Sequence, residues 1–351
     1  MSLKVDILKK YKSFTLHMKF ETEKNTTGLL GGSGCGKSLT LKCIAGIETP
    51  DEGKIIHNGR LLYDSEHSVN LAPRERNIGF MFQNYALFPH MTVRENIEIA
   101  VRKNKMKRSV AESLLHRFHI MKLQHRYANQ LSGGEQQRVA LARMMAYEPE
   151  ILMFDEPFTA LDSYLKDQLQ QELGEMLTDY TGDILMVSHN RDELYRFCNK
   201  IAVMDQGKVI QMGDKEDVFQ RPLDITAAKL TGLRNISRVR RLSDSEVLAV
   251  DWNIKLCVNQ FVGEEIRYVG IRSQHLKPAQ NSYDINTIKA GLTSLQEGPF
   301  DHKVLLHNSD SPQSESVCWV LSKQDWRNIY QEKLPQFITL PKEHILLLKE
   351  K

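Results

Sequence analysis

Gly31-Gly32-Ser33-Gly34-Cys35-Gly36-Lys37-Ser38 decides the reading of this chain. It fits G-x-x-x-x-G-K-[ST], a loop that wraps its backbone around a polyphosphate. Glycines let such a loop turn sharply and bring its N–H groups to the phosphate oxygens. The helix that follows points the positive end of its dipole at the same anion. Lys37 is placed to reach the outer phosphates, and the Ser38 hydroxyl to hold Mg²⁺. The flanks agree: residues 27–30 read as a short buried strand, and residues 39–45 as a helix stopped by Gly46. The stretch predicts nucleotide binding.

Two further motifs supply chemistry. Ile151-Leu152-Met153-Phe154-Asp155-Glu156-Pro157 is an apolar strand ending in adjacent carboxylates. In an open parallel sheet, the C-terminal ends of the strands are where ligands bind. Asp155 there orders a Mg²⁺ shell, and Glu156 polarises an attacking water as general base. The alternative is a surface turn after a core strand. Leu131-Ser132-Gly133-Gly134-Glu135-Gln136-Gln137-Arg138 opens a helix, with Ser132 as N-cap and Glu135 as its capping-box partner. Val139, Ala142 and Met145 fall on one face of that helix. An ordinary capped helix explains Ser132 and Glu135, but not two glycines in the first turn, which weaken a helix and suit close approach to an anion.

Outward from these motifs, Leu3, Val5 and Ile7 alternate, as do Phe14, Leu16, Met18 and Phe20, which predicts two half-buried strands. Residues 54–57 and 60–63 flank Asn58-Gly59, a hairpin signal. Further strands are predicted at 77–82, 151–154 and 184–187, and a closing hairpin at 201–212 around Gln206-Gly207. Residues 92–145 are mostly helical in pattern, and Leu165, Leu169, Leu173 and Leu177 mark a helix face at a four-residue step. The fold class is therefore α/β with a mostly parallel core. From about residue 231 the chain turns to short β-like runs at 238–242, 247–250, 254–258, 266–271, 303–306, 317–321 and 337–340, which predicts a small all-β domain. The expected domains are 1–230, with a helical subdomain at about 91–148, and 231–351.

The totals fit this division. A chain of 351 residues, 41% of them hydrophobic, has material for two or three cores. A net charge of +3 makes no electrostatic case for nucleic acid. Cys35, Cys43, Cys198, Cys257 and Cys318 form no C-x-x-C pair and read as reduced thiols of a cytosolic protein. The N-terminus has no apolar signal core, and no apolar run approaches the length of a membrane span.

Leu131 to Arg138 resembles the signature motif of the ATP-binding cassette (ABC) ATPases. Its place, after the phosphate loop and just before the carboxylate strand, is also similar. Phe82-Gln83-Asn84 resembles the family's Q-loop, Thr159-Ala160-Leu161-Asp162 its D-loop, and Val187-Ser188-His189 its histidine switch. The resemblance covers residues 1 to about 225. It implies a P-loop ABC ATPase domain that uses ATP and Mg²⁺. Gln83 would touch Mg²⁺ and the attacking water, and His189 the γ-phosphate. Ser132, Gly133 and Gly134 would complete the site of a partner copy, and Glu135 and Asp162 would also bind the nucleotide. Tyr11 sits where the family places an aromatic ring against adenine, a strand-end tyrosine being the alternative. Gly32 departs from the proline usual in importer subunits.

The final 120 or so residues resemble the TOBE-type β-domains of importer ATPases through Gly270-Ile271-Arg272-Ser273-Gln274-His275-Leu276, with Gln274 departing from the pattern. Thr231-Gly232-Leu233-Arg234-Asn235-Ile236-Ser237 is similar to the entry of that domain in molybdate-type importers. The resemblance implies a homodimer of ATPase subunits at the cytoplasmic face of the membrane. Integral membrane permease subunits and, indirectly, a solute-binding protein would be its partners. The expected cargo is an oxyanion, molybdate first, with sulfate, tungstate, iron, sugar or polyamine as alternatives. Asn84-Tyr85-Ala86-Leu87-Phe88-Pro89-His90-Met91, apolar yet in a connection, suits a docking surface, or equally a loop tucked onto its own core. Arg234, Arg238, Arg240, Arg241, Arg267, Arg272 and His275 offer donors for an oxyanion. A soluble ABC ATPase of DNA repair or translation is a different reading. The single cassette without a heptad run argues against it. A nucleotide sensor without turnover is disfavoured by the Asp155-Glu156 pair and His189.

Overall fold

A computed structural model describes residues 2–23, 26–102, 104–159, 163–281, 284–329 and 334–350. Contacts divide the chain into two units, Met1–Lys215 and Glu216–Lys351. The first begins with β1 (Ser2–Lys10), β2 (Thr15–Glu23), β3 (Thr26–Gly31), α1 (Lys37–Ala45), β4 (Glu52–His57), β5 (Arg60–Asp64), β6 (Val69–Asn70) and β7 (Ile78–Met81). It continues with α2 (Val93–Glu98), α3 (Lys107–Arg117), α4 (Gly133–Ala146), β8 (Ile151–Asp155), α5 (Ser163–Thr178), β9 (Asp183–Ser188), α6 (Arg191–Phe197), β10 (Lys200–Asp205) and β11 (Lys208–Asp214).

The alternation at the start of the chain becomes an antiparallel sheet in the order β2-β1-β4-β5-β6. Val5 lies opposite Phe20, and Ile7 opposite Met18, so the middle of one face is apolar, with Thr22 opposite Leu3 and Lys9 opposite Leu16 at its ends. Asn58 and Gly59 both take positive φ, 51° and 78°, as the two-residue hairpin between β4 and β5 requires. The second sheet runs β11-β10-β3-β9-β8-β7, parallel except for β11 at its edge. Its inner strands are continuous apolar runs because both faces are covered; every residue of β8 and β9 is buried. Leu3 and Ile7 from the first sheet, Leu41 and Ile44 from α1, and Met153 and Val187 from the second share one core. That core fixes the helix leaving the phosphate loop.

Two helix faces differ from expectation. In α5, Leu169, Leu173 and Met176 are buried while Leu177 is half-buried. A period of 3.6 carries the stripe away from a strict four-residue step; the side chain of Leu165 lies outside the described residues. In α4, Val139 and Ala142 are buried, but Met144 takes the place expected of Met145. This helix packs against α2 and α3 as well as β7, so more than one face is covered.

The second unit carries α7 (Lys215–Gln220), which starts at its boundary, and α8 (Ile225–Leu230). Then follow β12 (Asn235–Arg241), β13 (Glu246–Ala249), β14 (Ile254–Cys257), β15 (Ile266–Ile271), β16 (Lys277–Ala279), β17 (Thr287–Glu297), β18 (Asp301–Asn308), β19 (Val317–Ser322), α9 (Lys323–Ile329), β20 (Phe337–Thr339) and β21 (Leu346–Lys349). Two antiparallel sheets, β14-β13-β12-β15-β21 and β16-β20-β17-β18-β19, enclose a core around Trp252 and Trp319. The Trp319 indole N–H donates to Leu276 O at 3.0 Å.

Candidate nucleotide site

β3 runs between β9 and β10 and delivers Gly31 to the C-terminal edge of the parallel sheet. Gly32, Ser33 and Gly34 are exposed, Cys35 is buried, and Gly36 leads into α1. Gly34 and Gly36 hold φ of 76° and 103°, a region that favours residues without a Cβ. Gly36 is the N-cap of α1 and offers no side-chain acceptor, so the first N–H groups of the helix stay available to an anion. A Cβ at Gly32 would meet nothing within 4 Å, so the departure from proline has room around it. The Lys37 ammonium folds back into the loop, donating to Gly31 O at 2.8 Å and Gly32 O at 2.9 Å, with Cys35 Sγ at 4.0 Å.

The neighbouring strand ends complete the arrangement. Ser38 Oγ donates to Asp155 Oδ1 at 2.7 Å. Asp155 is buried at the end of β8, and burial pushes its carboxyl above the usual range, with Glu156 adding to the shift and the Ser38 hydrogen bond opposing it. Two hard oxygen donors, one a desolvated carboxylate, fit Mg²⁺. Glu156 holds φ of 50°, and its Oε2 lies 3.2 Å from His189 Nδ1 and accepts from Thr159 Oγ1 at 3.0 Å. His189 follows β9, where the buried Ser188 Oγ donates to Glu193 Oε2 at 2.6 Å and accepts from Asn190 N at 2.9 Å. Gln83 is exposed just past the end of β7, the strand beside β8.

The signature residues stand apart from this cluster. Ser132 Oγ accepts from Glu135 N at 3.4 Å, while the Glu135 carboxylate accepts from Ser132 N at 2.7 Å, which starts α4. No hydrogen bond or ion pair joins residues 132–135 to the phosphate loop among the described residues. Ser132 and Gly133 are exposed. Tyr11, 45% exposed, sits in the β1–β2 turn with its N–H donating to Phe14 O at 2.8 Å. Asp162, with Ala160 and Leu161, lies outside the described residues.

Two arginines carry more than their sequence context signals. Arg76 is buried and donates to Cys43 O, Ile44 O, Leu71 O and Asn70 Oδ1 at 2.7–3.0 Å, closing the C-terminal end of α1. A Cβ on Gly46 would meet that guanidinium at 2.6 Å. Arg143 donates to Tyr85 O and Ala86 O. Neither sits in a recognisable pattern; only burial and the carbonyls around each reveal it.

In the connection after Gln83, Phe88 is 39% exposed, Leu87 is half-buried and Tyr85 is buried. Phe82, Phe88, Ile99 and Tyr147 line an open groove of about 600 Å³ there. Four arginines of the second unit are engaged by local partners. Arg238 pairs with Asp251, Arg241 with Asp244, Arg267 with Glu264 O, and Arg272 with Thr231 O and Phe219 O. Arg234 and Arg238 share one pocket of about 500 Å³ with Lys229, Asp251 and Glu315. Strand geometry spreads these side chains over several positions, which composition does not reveal.

A phosphate loop, a serine–aspartate pair and a glutamate–histidine pair at the C-terminal edge of a parallel sheet define a P-loop ATPase. Known proteins narrow the class. The sequence model of the family described as ABC transporter matches residues 15–159. The chain is 37% identical over 261 residues to the spermidine/putrescine import ATP-binding protein PotA of Acetivibrio thermocellus, covering 72% of both. It is 40% identical over 233 residues to the sulfate/thiosulfate import ATP-binding protein CysA of Thermosynechococcus vestitus, covering 65% of this chain and 67% of that one. The chain belongs to the ABC transporter family and is its ATP-hydrolysing component. An ATP-binding cassette solved as a dimer in a post-hydrolysis state with ADP and Pi is similar at a TM-score of 0.52. It is 27% identical, over 61% of this chain and 99% of that one.

Proposed function

We propose that this chain is the ATPase subunit of an importer, a homodimer at the cytoplasmic face under membrane-spanning permease subunits, with an oxyanion as cargo and molybdate first among oxyanions. One observation carries the reading: the Ser38–Asp155 and Glu156–His189 pairs lie at the ends of adjacent strands beside the Lys37 loop. Lys37 and the backbone of residues 31–38 hold the phosphates. Ser38, Asp155 and Gln83 hold Mg²⁺, which neutralises phosphate charge when bound. Glu156 takes the proton of the attacking water, and His189 faces the γ-phosphate. Tyr11 stacks on adenine. Ser132, Gly133, Gly134 and Glu135 of one copy, with Asp162, close the site of the other, so ATP is shared between two surfaces. The dimeric solved cassette supports that pairing. Residues 84–91 dock the permease, and the apolar groove beside Phe88 supports this.

Residues 1–230 are the cassette, with 91–148 as its helical part, and 231–351 a TOBE-like regulatory domain. The sulfate/thiosulfate relative supports an oxyanion, and the spermidine/putrescine relative keeps polyamine as the alternative. Uptake of labelled molybdate, sulfate, iron and spermidine by cells lacking this gene tests the assignment. Loss of molybdate uptake alone is expected; loss of spermidine or iron uptake with molybdate intact refutes it.

A further inference from the structure

Tyr85 and Ala86, at φ of 58° and 45°, are the only sequence neighbours with a Cβ that both take the left-handed region among the described residues. Such a pair persists only where its surroundings hold it. Arg143, on α4, is the holder. Its Nη2 donates to Tyr85 O at 2.9 Å and its Nη1 to Ala86 O at 2.7 Å. The guanidinium carbon stands 5.3 Å from the Phe88 ring centroid. No carboxylate lies within ion-pair distance of Arg143 among the described residues, so these carbonyls and the ring replace its lost hydration. On the other flank the buried Asn96 accepts from Phe88 N at 2.9 Å and donates to Phe88 O, Met91 O and Thr92 O at 3.0–3.2 Å. Residues 88–92 are thus fixed to α2. Arg143 is the one side chain that hydrogen-bonds the backbone of residues 84–87 among the described residues.

α4 begins at Gly133, so Arg143 lies roughly 15 Å along the same helix from the signature residues. We propose that Arg143 is a positioning residue that couples α4, and with it the signature residues, to a two-state turn at Tyr85–Ala86. The inference rests on the reading above, in which residues 132–135 meet the nucleotide of a second copy and residues 84–91 meet the permease. With Arg143 engaged, the left-handed turn aims both carbonyls at α4. When either φ returns to negative values, the carbonyls swing away and the guanidinium loses both acceptors. Each binding event then biases the same turn, and the coupling runs both ways.

The test is hydrogen exchange of the amides of residues 84–91 in the full chain, with and without Mg·ATP, in a Glu156→Gln background that holds ATP. ATP is expected to slow this exchange by about tenfold, an ordinary coupling factor. Arg143→Met should reduce the response to less than about twofold, and Arg143→Lys, which lacks the planar fork, should give an intermediate value. Adding Ala86→Gly to Arg143→Met should not bring the response back, since glycine keeps a left-handed turn without help yet makes no bond to α4; a role for Arg143 confined to holding the turn predicts rescue. Should Arg143→Met fail to fold, Arg143→Lys carries the same comparison. A full response in the folded arginine variants, rescue by Ala86→Gly, or no response in the parent chain overturns the coupling. Permease-stimulated ATPase is measured alongside in the chain that keeps Glu156. No stimulation with the exchange response intact refutes the importer reading and leaves the coupling standing.

Discussion

Glu156 and Asp155 are adjacent in sequence and opposite in setting. Glu156 reaches the open side of the site, within 3.2 Å of His189, while Asp155 is buried against Ser38. Glu156→Gln should keep nucleotide affinity within a few-fold and lower kcat by about 10²–10⁴, the usual contribution of a general base. Phosphate release and nucleotide titration read the two effects, and turnover near that of the parent chain removes Glu156 from the role. Asp155 behaves differently because burial raises its carboxyl pKa. The folded chain holds that proton more tightly than the unfolded one, so the group's contribution to stability falls as pH rises through the carboxylate range. Asp155→Asn should therefore raise the Tm of the nucleotide-free chain at neutral pH by about 2–4 °C, the equivalent of about 1 kcal/mol in a domain of this size. It should also erase the extra Tm shift that Mg²⁺ adds to ATP. A lower Tm in the absence of nucleotide shows that the Ser38 hydrogen bond outweighs burial.

Among the elements, α4 does two jobs with one start. Ser132 and Glu135 form an ordinary capping box, yet Ser132 precedes two glycines and stays exposed. Ser132→Ala should cost about 1 kcal/mol of stability as a lost cap, read by urea unfolding. It should also weaken the ATP-held dimer, read by light scattering; a stability loss with an unchanged dimer leaves the cap as its only role. This element was legible in the sequence because capping chemistry is local, and so were α1 and the hairpin at Asn58-Gly59. What stayed hidden depends on distant partners. β17, the longest strand of the second unit, carries Gly291 and a register shift between Leu292 and Ser294, which breaks the alternation that marks a strand. β16 is broken by Pro278, and β21 is a run of leucines without alternation. Arg76 and Arg143 look like surface charges until their carbonyl partners arrive from other elements.

For the whole molecule, the phosphate loop and the strand ends beside it belong to the first unit, while the arginines of the second are mostly paired with local carboxylates and carbonyls. Calorimetric titration of the full chain with molybdate and sulfate should show no uptake at Arg238 or Arg241, and Arg238→Ala should leave the titration unchanged. A molybdate heat that Arg238→Ala abolishes contradicts this. The order of strands in the parallel sheet also sets a timetable for synthesis. β3, which carries the phosphate loop, pairs with β9 and β10, so Thr27 finds Leu185 and Gly28 finds Ile201. Those partners emerge from the ribosome more than 150 residues later, as the pairing itself states. At translation rates of about 5–20 residues per second, a nascent chain waits roughly ten to thirty seconds with its nucleotide loop written but unsupported. During that interval the loop's apolar strand has no neighbours in the sheet. A chain stalled before residue 183 should hold no ATP, whereas one released at residue 215 has every strand the loop needs.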